Sequence, residues 1–263
     1  MRYFALLENE NVLGLPLEYS ELSEYFDALS QSDYSPANGL IENILREHKV
    51  TSVLDLTCGT GSQVLWLAKH GFKVTGSDLS SSLIKIAKSK AQQEKIDVVF
   101  LQGDMRDIKV GAFDAVITIF NAIGHLTKSD FEIAIKNVRT NLKERGLYIF
   151  DIFNLNSMTD RAVRNLSMEV KTSANGVEIF HTQHSEIDRD SGLLTSYDKF
   201  LIKETGKEPK TLTGQFTLQI YTAKELCEIL IRNGFEVLSQ SGIDGSQFKD
   251  KKTQSILTVA KKQ

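Results

Sequence analysis

The chain has 263 residues, 41% of them hydrophobic, enough for one large domain or for one domain with a sizeable insertion. Its 31 basic and 34 acidic residues leave a formal net charge of −3, and the lysines are scattered, so the basic footprint that a phosphate backbone requires is missing. Only Cys58 and Cys227 are present, far apart and without a C-x-x-C pair, which argues against a disulfide framework or a zinc site. No window is apolar over the length that spanning a bilayer takes, and the first residues, MRYFALLENENVL, carry acids where a signal peptide would not. A cytoplasmic protein without membrane or nucleic-acid partners is expected.

In chain order, an aromatic cluster (Tyr19, Tyr25, Phe26, Tyr34) comes first, followed by a helix over about 38–47. From 50 to 153 short apolar runs alternate with amphipathic stretches, the signature of a parallel sheet crossed by helices. A strand at 51–56 runs through Gly59 and Gly61 into a helix with Val64, Leu67 and Ala68 on one face, stopped by Gly71. A second strand at 72–76 ends at Asp78, and Ser80 or Ser81 caps a helix whose buried stripe is Leu83, Ile84 and Ala87. The third strand, 98–101, ends in Gly103-Asp104-Met105-Arg106-Asp107. The fourth, 113–120, is continuously apolar, and Ser129-x-x-Glu132 is a capping box for a helix ending near 142. A fifth strand covers 147–153.

Beyond Asn154 the period changes. From about 169 to 221 the chain reads as antiparallel strands, with Leu212, Gly214, Phe216, Leu218 and Ile220 alternating with polar residues, and turns at 188–192 and 205–206. Thr222-x-x-Glu225 then boxes a last helix stopped by Gly234, and strands at 235–238 and 256–259 close the pattern. The boundaries drawn are an N-terminal segment closing over the site (1–48), a core (49–160 and 221–263) and an antiparallel β insertion roofing the substrate (161–220).

In such a sheet the ligand lies beyond the carboxyl ends of the strands, so their tips should line one crevice. They are the Gly59/Gly61 turn, Asp78, Asp104-Met105 and Phe120-Asn121. A nicotinamide dinucleotide accounts for the first two, but Gln63 and Val64 stand where a third glycine would open the helix. The glycine turn alone leaves the cofactor open.

Taken together, VLDLTCGTGS, Asp78, QGDMRD and FDAVITIFNAIGHL resemble the class I S-adenosylmethionine-dependent methyltransferases. Tyr25-Phe26-Asp27, Asp33-Tyr34, YIFDIFN and the insertion before QIYTAKEL are similar to the small-molecule N-methyltransferases, those acting on nucleotide-linked amino sugars and on glycine-like amines. The resemblance implies an α/β, doubly wound, mostly parallel seven-stranded Rossmann-like sheet with the insertion after strand five. It implies S-adenosylmethionine as cofactor, S-adenosylhomocysteine as product and no metal. By the same resemblance Gly59 and Gly61 lie under the methionine part, Asp55 organises the turn, Asp78 takes the ribose, Leu79 and Met105 sandwich the adenine, and Asp104 accepts its amine. Tyr25, Thr57, Phe120 and Asn121 complete the cofactor set. Thr57 replaces a frequent Gly or Ala, and Ala28-Leu29-Ser30-Gln31-Ser32 is shorter than the matching stretch of some amino-sugar enzymes.

Methyl transfer to an amine needs a neutral nucleophile aligned behind the methyl, which makes a positioned base useful. His125 is the candidate base and Tyr34 its companion at the acceptor. His181 and His184, three apart on a strand, point to opposite faces, and Cys58 reads as a packing residue. The expected partner is a small-molecule acceptor, with the chain a monomer or homodimer. A nicotinamide-dependent oxidoreductase and a non-catalytic cofactor binder of the same fold stay open as alternatives.

Overall fold

The apolar runs of the first half pair as parallel strands because each is covered on both faces. The computed structural model describes residues 13–30, 33–174 and 176–263. Helices α1 (Phe26–Ser30) and α2 (Ser35–Glu47) precede β1 (Ser52–Asp55), α3 (Ser62–Lys69), β2 (Lys73–Asp78), α4 (Ser81–Glu94) and β3 (Val99–Gln102). Then come β4 (Phe113–Thr118), α5 (Lys128–Asn141), β5 (Leu142–Phe153) and α6 (Asp160–Leu166). The antiparallel strands β6 (Met168–Ala174), β7 (Val177–Asp188), β8 (Leu193–Glu204) and β9 (Lys210–Gln219) follow, and α7 (Ala223–Arg232), β10 (Phe235–Gly242) and β11 (Ser255–Lys262) end the chain.

The main sheet has the order β10-β11-β5-β4-β1-β2-β3, parallel except that β11 runs antiparallel to both β5 and β10. The order reverses between β1 and β4, so a crevice opens at their carboxyl ends. On one face Ile41, Leu45, Val64, Leu67, Ile84 and Ala87 of α2 to α4 are buried against the strands, and on the other Phe131, Ile135, Val138, Leu226 and Leu230 of α5 and α7. Each such side chain contributes about 1.5–3 kcal/mol of burial. The second sheet, β6-β7-β8-β9, is the predicted insertion. Its two ends are pinned side by side at its base by a bridge between Asn154 and Tyr221, and the buried Asn154 amide donates to the Asp250 and Thr253 carbonyls.

Several boundaries differ from the sequence reading. Helix α5 is capped by Thr127, whose hydroxyl accepts the Asp130 N–H at 3.1 Å, rather than by Ser129. Thr127-x-x-Asp130 places an acid at the same offset two residues earlier, and Glu132 pairs instead with Arg232 of α7. Strand β4 stops at Thr118 because Phe120 and Asn121 turn to φ +63° and +61°. Strand β5 begins at Leu142, straight out of α5, with a left-handed Arg145 (φ +62°) before the apolar run. The short α6 buries only Val163, too little for a period to show. The Thr222 and Glu225 capping box forms as expected. Among the described residues, no helix is long and apolar enough to cross a membrane.

Gly61 holds φ +86° at the start of α3, and a methyl group there would meet the Ala87 Cβ and the Phe100 ring, each at 3.1 Å. Gly61→Ala is therefore expected to lose about 1–3 kcal/mol, read as a fall in denaturation midpoint; an unchanged midpoint would contradict the left-handed turn.

Candidate active site

The glycine turn is held open by two carboxylates. Asp55, at the end of β1 and 2% exposed, accepts the Thr57 N–H at 3.0 Å, and burial pushes its carboxyl up to about 7. Asp78, at the end of β2, accepts the Gly59 N–H on one oxygen and the Ser80 N–H on the other, each at 2.9 Å. Burial raises its carboxyl as well, opposed by those two donors. Each oxygen keeps a further lone-pair direction, the capacity that a pair of ribose hydroxyls would use. Gly59 (φ +52°) faces open space where a side chain would stand, so bare backbone floors the crevice. The turn is tied outward too, since the Thr60 hydroxyl donates to Asp27 of α1 at 2.6 Å and Lys90 pairs with the other oxygen of Asp27.

At the third tip Asp104 is engaged by its neighbour. Arg106 reaches it through Nε, Nη2 and the backbone N–H, at 2.6 to 3.1 Å, and also approaches Asp130 at 3.4 Å. For Asp104 to accept an adenine amine, Arg106 would have to release one of its oxygens. Met105 packs half-buried on the core, its carbonyl held by Asn137, and Leu79 is 46% exposed beside Asp78. These groups fit an adenosine.

At the fourth tip the buried Asp151 accepts the N–H groups of Phe120 and Asn121, while the Asn121 side chain accepts the Phe153 N–H. Asp151, pushed up to about 6 by burial, thus holds the two left-handed residues in place. The Tyr34 ring lies 4.5 Å from that of Phe120 and stands between two cavities. One, about 450 Å³, is bounded by Asp27, Asn38, Ser62, Trp66 and Lys90; the other, about 320 Å³, by Phe120, Asn121, Asp151 and Phe153.

His125 closes the 3-10 turn Ala122–His125. Its Nε2 lies 3.4 Å from the Tyr19 hydroxyl, and its ring faces those of Tyr19 and Phe216 at 5.4 and 6.0 Å. Its Nδ1 is buried without a well-aligned hydrogen bond, and the Gly14 backbone lies against the ring. Burial pushes the imidazole down to about 4, so it is neutral at pH 7. Gly124 lets β9 come this close, since a side chain there would meet Ile152 at 2.9 Å and Leu218 at 3.1 Å.

The described residues ahead of α1 pack on β9 and on the start of α4. Leu13 accepts the Thr217 N–H of β9, Leu17 packs on Gly214, and the Tyr19 carbonyl accepts the Ser80 hydroxyl at 2.6 Å. Burial, and next the charge of Asp78, raise the Tyr19 phenol. Of the tyrosines named from sequence, Tyr25 is seated elsewhere: it packs with Leu22, Val177, Ile179 and Phe200 against the insertion. Tyr19 comes to Asp78 and His125 in its place. The structure thus gathers Asp55, Thr57, Gly59, Gly61, Asp78, Leu79, Phe120, Asn121, Tyr34 and His125 around the β1–β4 crevice. Sequence reasoning missed the parts played by Tyr19, Asp27, Thr60 and Asp151; the Asp in YIFDIFN was the one visible signal. His181 is buried and paired with Asp198, while His184 is exposed on the opposite face. Cys58 is a buried thiol whose pKa burial pushes up.

A doubly wound sheet with an open glycine turn at its first tip and a buried carboxylate at its second defines a Rossmann-like α/β fold with its crevice at the switch point. Residues 53–146 match the family described as methyltransferase domain, and the fold is that of solved S-adenosylmethionine-dependent methyltransferases. A putative methyltransferase YqeM of Bacillus subtilis is 38% identical over 133 residues, 49% of this chain and 53% of that protein. A dTDP-3-amino-3,6-dideoxy-alpha-D-glucopyranose N,N-dimethyltransferase of Streptomyces fradiae is 31% identical over 146 residues, 52% of this chain and 56% of that one. A solved S-adenosylmethionine-dependent methyltransferase from Clostridium acetobutylicum superposes with a TM-score of 0.76 at 19% identity, covering 93% of this chain and 98% of that one. The chain spans about half the length of the curated relatives it matches.

A depressed imidazole pKa has a checkable sign. His125 binds its proton less readily folded than unfolded, so its contribution to stability is fully present above about 6.5 and is lost as the pH falls through 6.5 towards 4. In the free protein the His125 ring resonances should titrate near pH 4; a midpoint near 6.5 would show the imidazole to be solvated and the lid open.

Proposed function

We propose that the chain is an S-adenosylmethionine-dependent methyltransferase acting on a small-molecule acceptor through an amine nitrogen. The observation that supports this most directly is the neutral, buried His125 beyond the fourth tip, facing the Tyr19 hydroxyl. When bound, the cofactor supplies an electrophilic methyl on a sulfonium and leaves as S-adenosylhomocysteine.

The chain's own residues do the rest. Gly59 and Gly61 would floor the methionyl part, Asp78 would take the ribose hydroxyls, and Leu79 and Met105 would cover the adenine faces. Phe120 and Asn121, fixed by Asp151, would line the crevice at the fourth tip. His125 takes the proton that an ammonium must lose to become a nucleophile, and Tyr19 fixes the ring that does so. Tyr34, on Phe120, borders the acceptor side. The lid excludes water, which leaves alignment as the main catalytic contribution. The segment ahead of α2 and the β6–β9 sheet choose the acceptor.

Titrating S-adenosylhomocysteine and NAD separately tests the cofactor, and NAD binding alone would overturn the reading. Asp78→Asn is expected to weaken S-adenosylhomocysteine binding about tenfold or more, the loss of a charged hydrogen-bond acceptor. His125→Asn should lower turnover of S-adenosylmethionine on a panel of amines by about 10²- to 10⁴-fold with cofactor affinity unchanged. A wild-type chain that binds cofactor and methylates nothing on that panel is the non-catalytic binder.

A further inference from the structure

Residues 13–19 cross the site as one short strap and cover both nitrogens of His125. The Tyr19 hydroxyl lies 3.4 Å from Nε2, and the Gly14 backbone lies against the ring, whose Nδ1 is buried. The Tyr19 and Phe216 rings face the imidazole at 5.4 and 6.0 Å. Neither of the two cavities beside Tyr34 is lined by His125. Proton transfer needs hydrogen-bond contact or one bridging water, and an acceptor nitrogen finds both ring nitrogens already covered.

The strap is held unevenly. At its far end the Ser80 hydroxyl donates to the Tyr19 carbonyl at 2.6 Å, and the turn that follows buries Leu22 with Val177, Ile179 and Phe200. At its near end, among the described residues, one backbone hydrogen bond reaches β9: the Thr217 N–H donates to the Leu13 carbonyl at 2.7 Å. β9 is an edge of the inserted sheet, so that N–H points away from β8. Gly14 lies on the same strand at φ +81°, where a methyl group would meet the Gln215 carbonyl at 3.0 Å. No residue from 13 to 19 is fully buried. A segment held by so few contacts belongs to the low-stability end of a fold and opens without global unfolding. The histidine is the fixed partner: Ala122, Ile123 and Gly124 ahead of it are buried, and Ile152 and Leu218 crowd Gly124.

We propose that residues 13–19 are an autoinhibitory strap: the chain rests with its candidate base capped, and an acceptor reaches His125 only when the Gly14 end lifts from β9 while Tyr19, held by Ser80, stays on Nε2. The role of His125 as base rests on the methyltransferase reading, whereas the strap and its motion are testable alone. Acceptor affinity is reduced by the fraction of chains that are open, so loosening the Gly14 end strengthens acceptor binding.

Two substitutions in the full chain loosen that end from opposite sides. Gly14→Val puts a branched side chain at a left-handed position against the β9 backbone. Thr217→Pro removes the N–H that ties β9 to the strap, on an edge strand where proline is tolerated. The readout is the rate at which diethyl pyrocarbonate modifies each histidine, followed by mass spectrometry, with exposed His184 as reference and buried His181 as monitor of the inserted sheet. Wild-type His125 is expected to react at least about tenfold more slowly than His184, and either variant to raise its rate about tenfold with His181 unchanged. Wild-type His125 reacting as fast as His184, or variants that leave its rate where it was, would overturn the strap. An equal gain at His181 would overturn it too, because it marks general loosening of the inserted sheet. With S-adenosylmethionine and an amine that the wild type methylates, both variants should lower KM for the amine; a raised KM would overturn the inhibition, because it makes the strap part of the acceptor site. A chain whose His125 reacts as expected but which binds no S-adenosylhomocysteine would lose the methyltransferase reading and keep the strap.

Discussion

The arrangement of the site depends on what the Asp78 carboxylate binds. One of its oxygens holds the Gly59 N–H and the other the Ser80 N–H, so a single buried group fixes the glycine turn and the start of α4 together. Ser80 extends this link, since its hydroxyl donates to the Tyr19 carbonyl, and Tyr19 reaches on to His125. The glycine turn, the 3-10 turn that carries Tyr19, and His125 thus form one hydrogen-bonded sequence that starts at the tip of β2. A buried carboxylate is costly unless every oxygen is met, and here backbone donors meet it while a lone-pair direction stays free on each.

Burial then sets the protonation states. Asp55 and Asp151 are pushed up to about 7 and about 6 by loss of water, and His125 down to about 4 by the same cause. Each shift favours the neutral form, as a low-dielectric enclosure must. For His125 the direction keeps the imidazole neutral near pH 7. For Asp151 it marks a structural carboxyl that orders Phe120 and Asn121 through their N–H groups.

Much of this was legible in the sequence. The doubly wound sheet followed from apolar runs too continuous to be wet on one face, and the tips followed from where those runs broke. The Thr222 box formed as read. What escaped has physical reasons. Ser129 and Thr127 both offer a hydroxyl three residues ahead of an acid, and only the packing of α5 on the sheet selects Thr127. Tyr19 and Tyr25 are both aromatic residues in a segment without a period, so sequence cannot tell which meets the core and which the insertion. The engagement of Asp104 by Arg106 is a contact between residues two apart in a loop, where no helix or strand spacing announces it.

The bridge between Asn154 and Tyr221 has a consequence beyond local geometry. It brings the beginning and the end of the inserted sheet together at one point, and the Asn154 amide is fastened from the core side by the Asp250 and Thr253 carbonyls. The main sheet therefore closes on itself without help from the strands between. Because loop closure depends only weakly on loop length, the inserted part is free to lengthen, shorten or be replaced while the main sheet stays intact. A fold fastened in this way is modular: one half can keep its chemistry over evolutionary time while the other is rewritten for a new molecule.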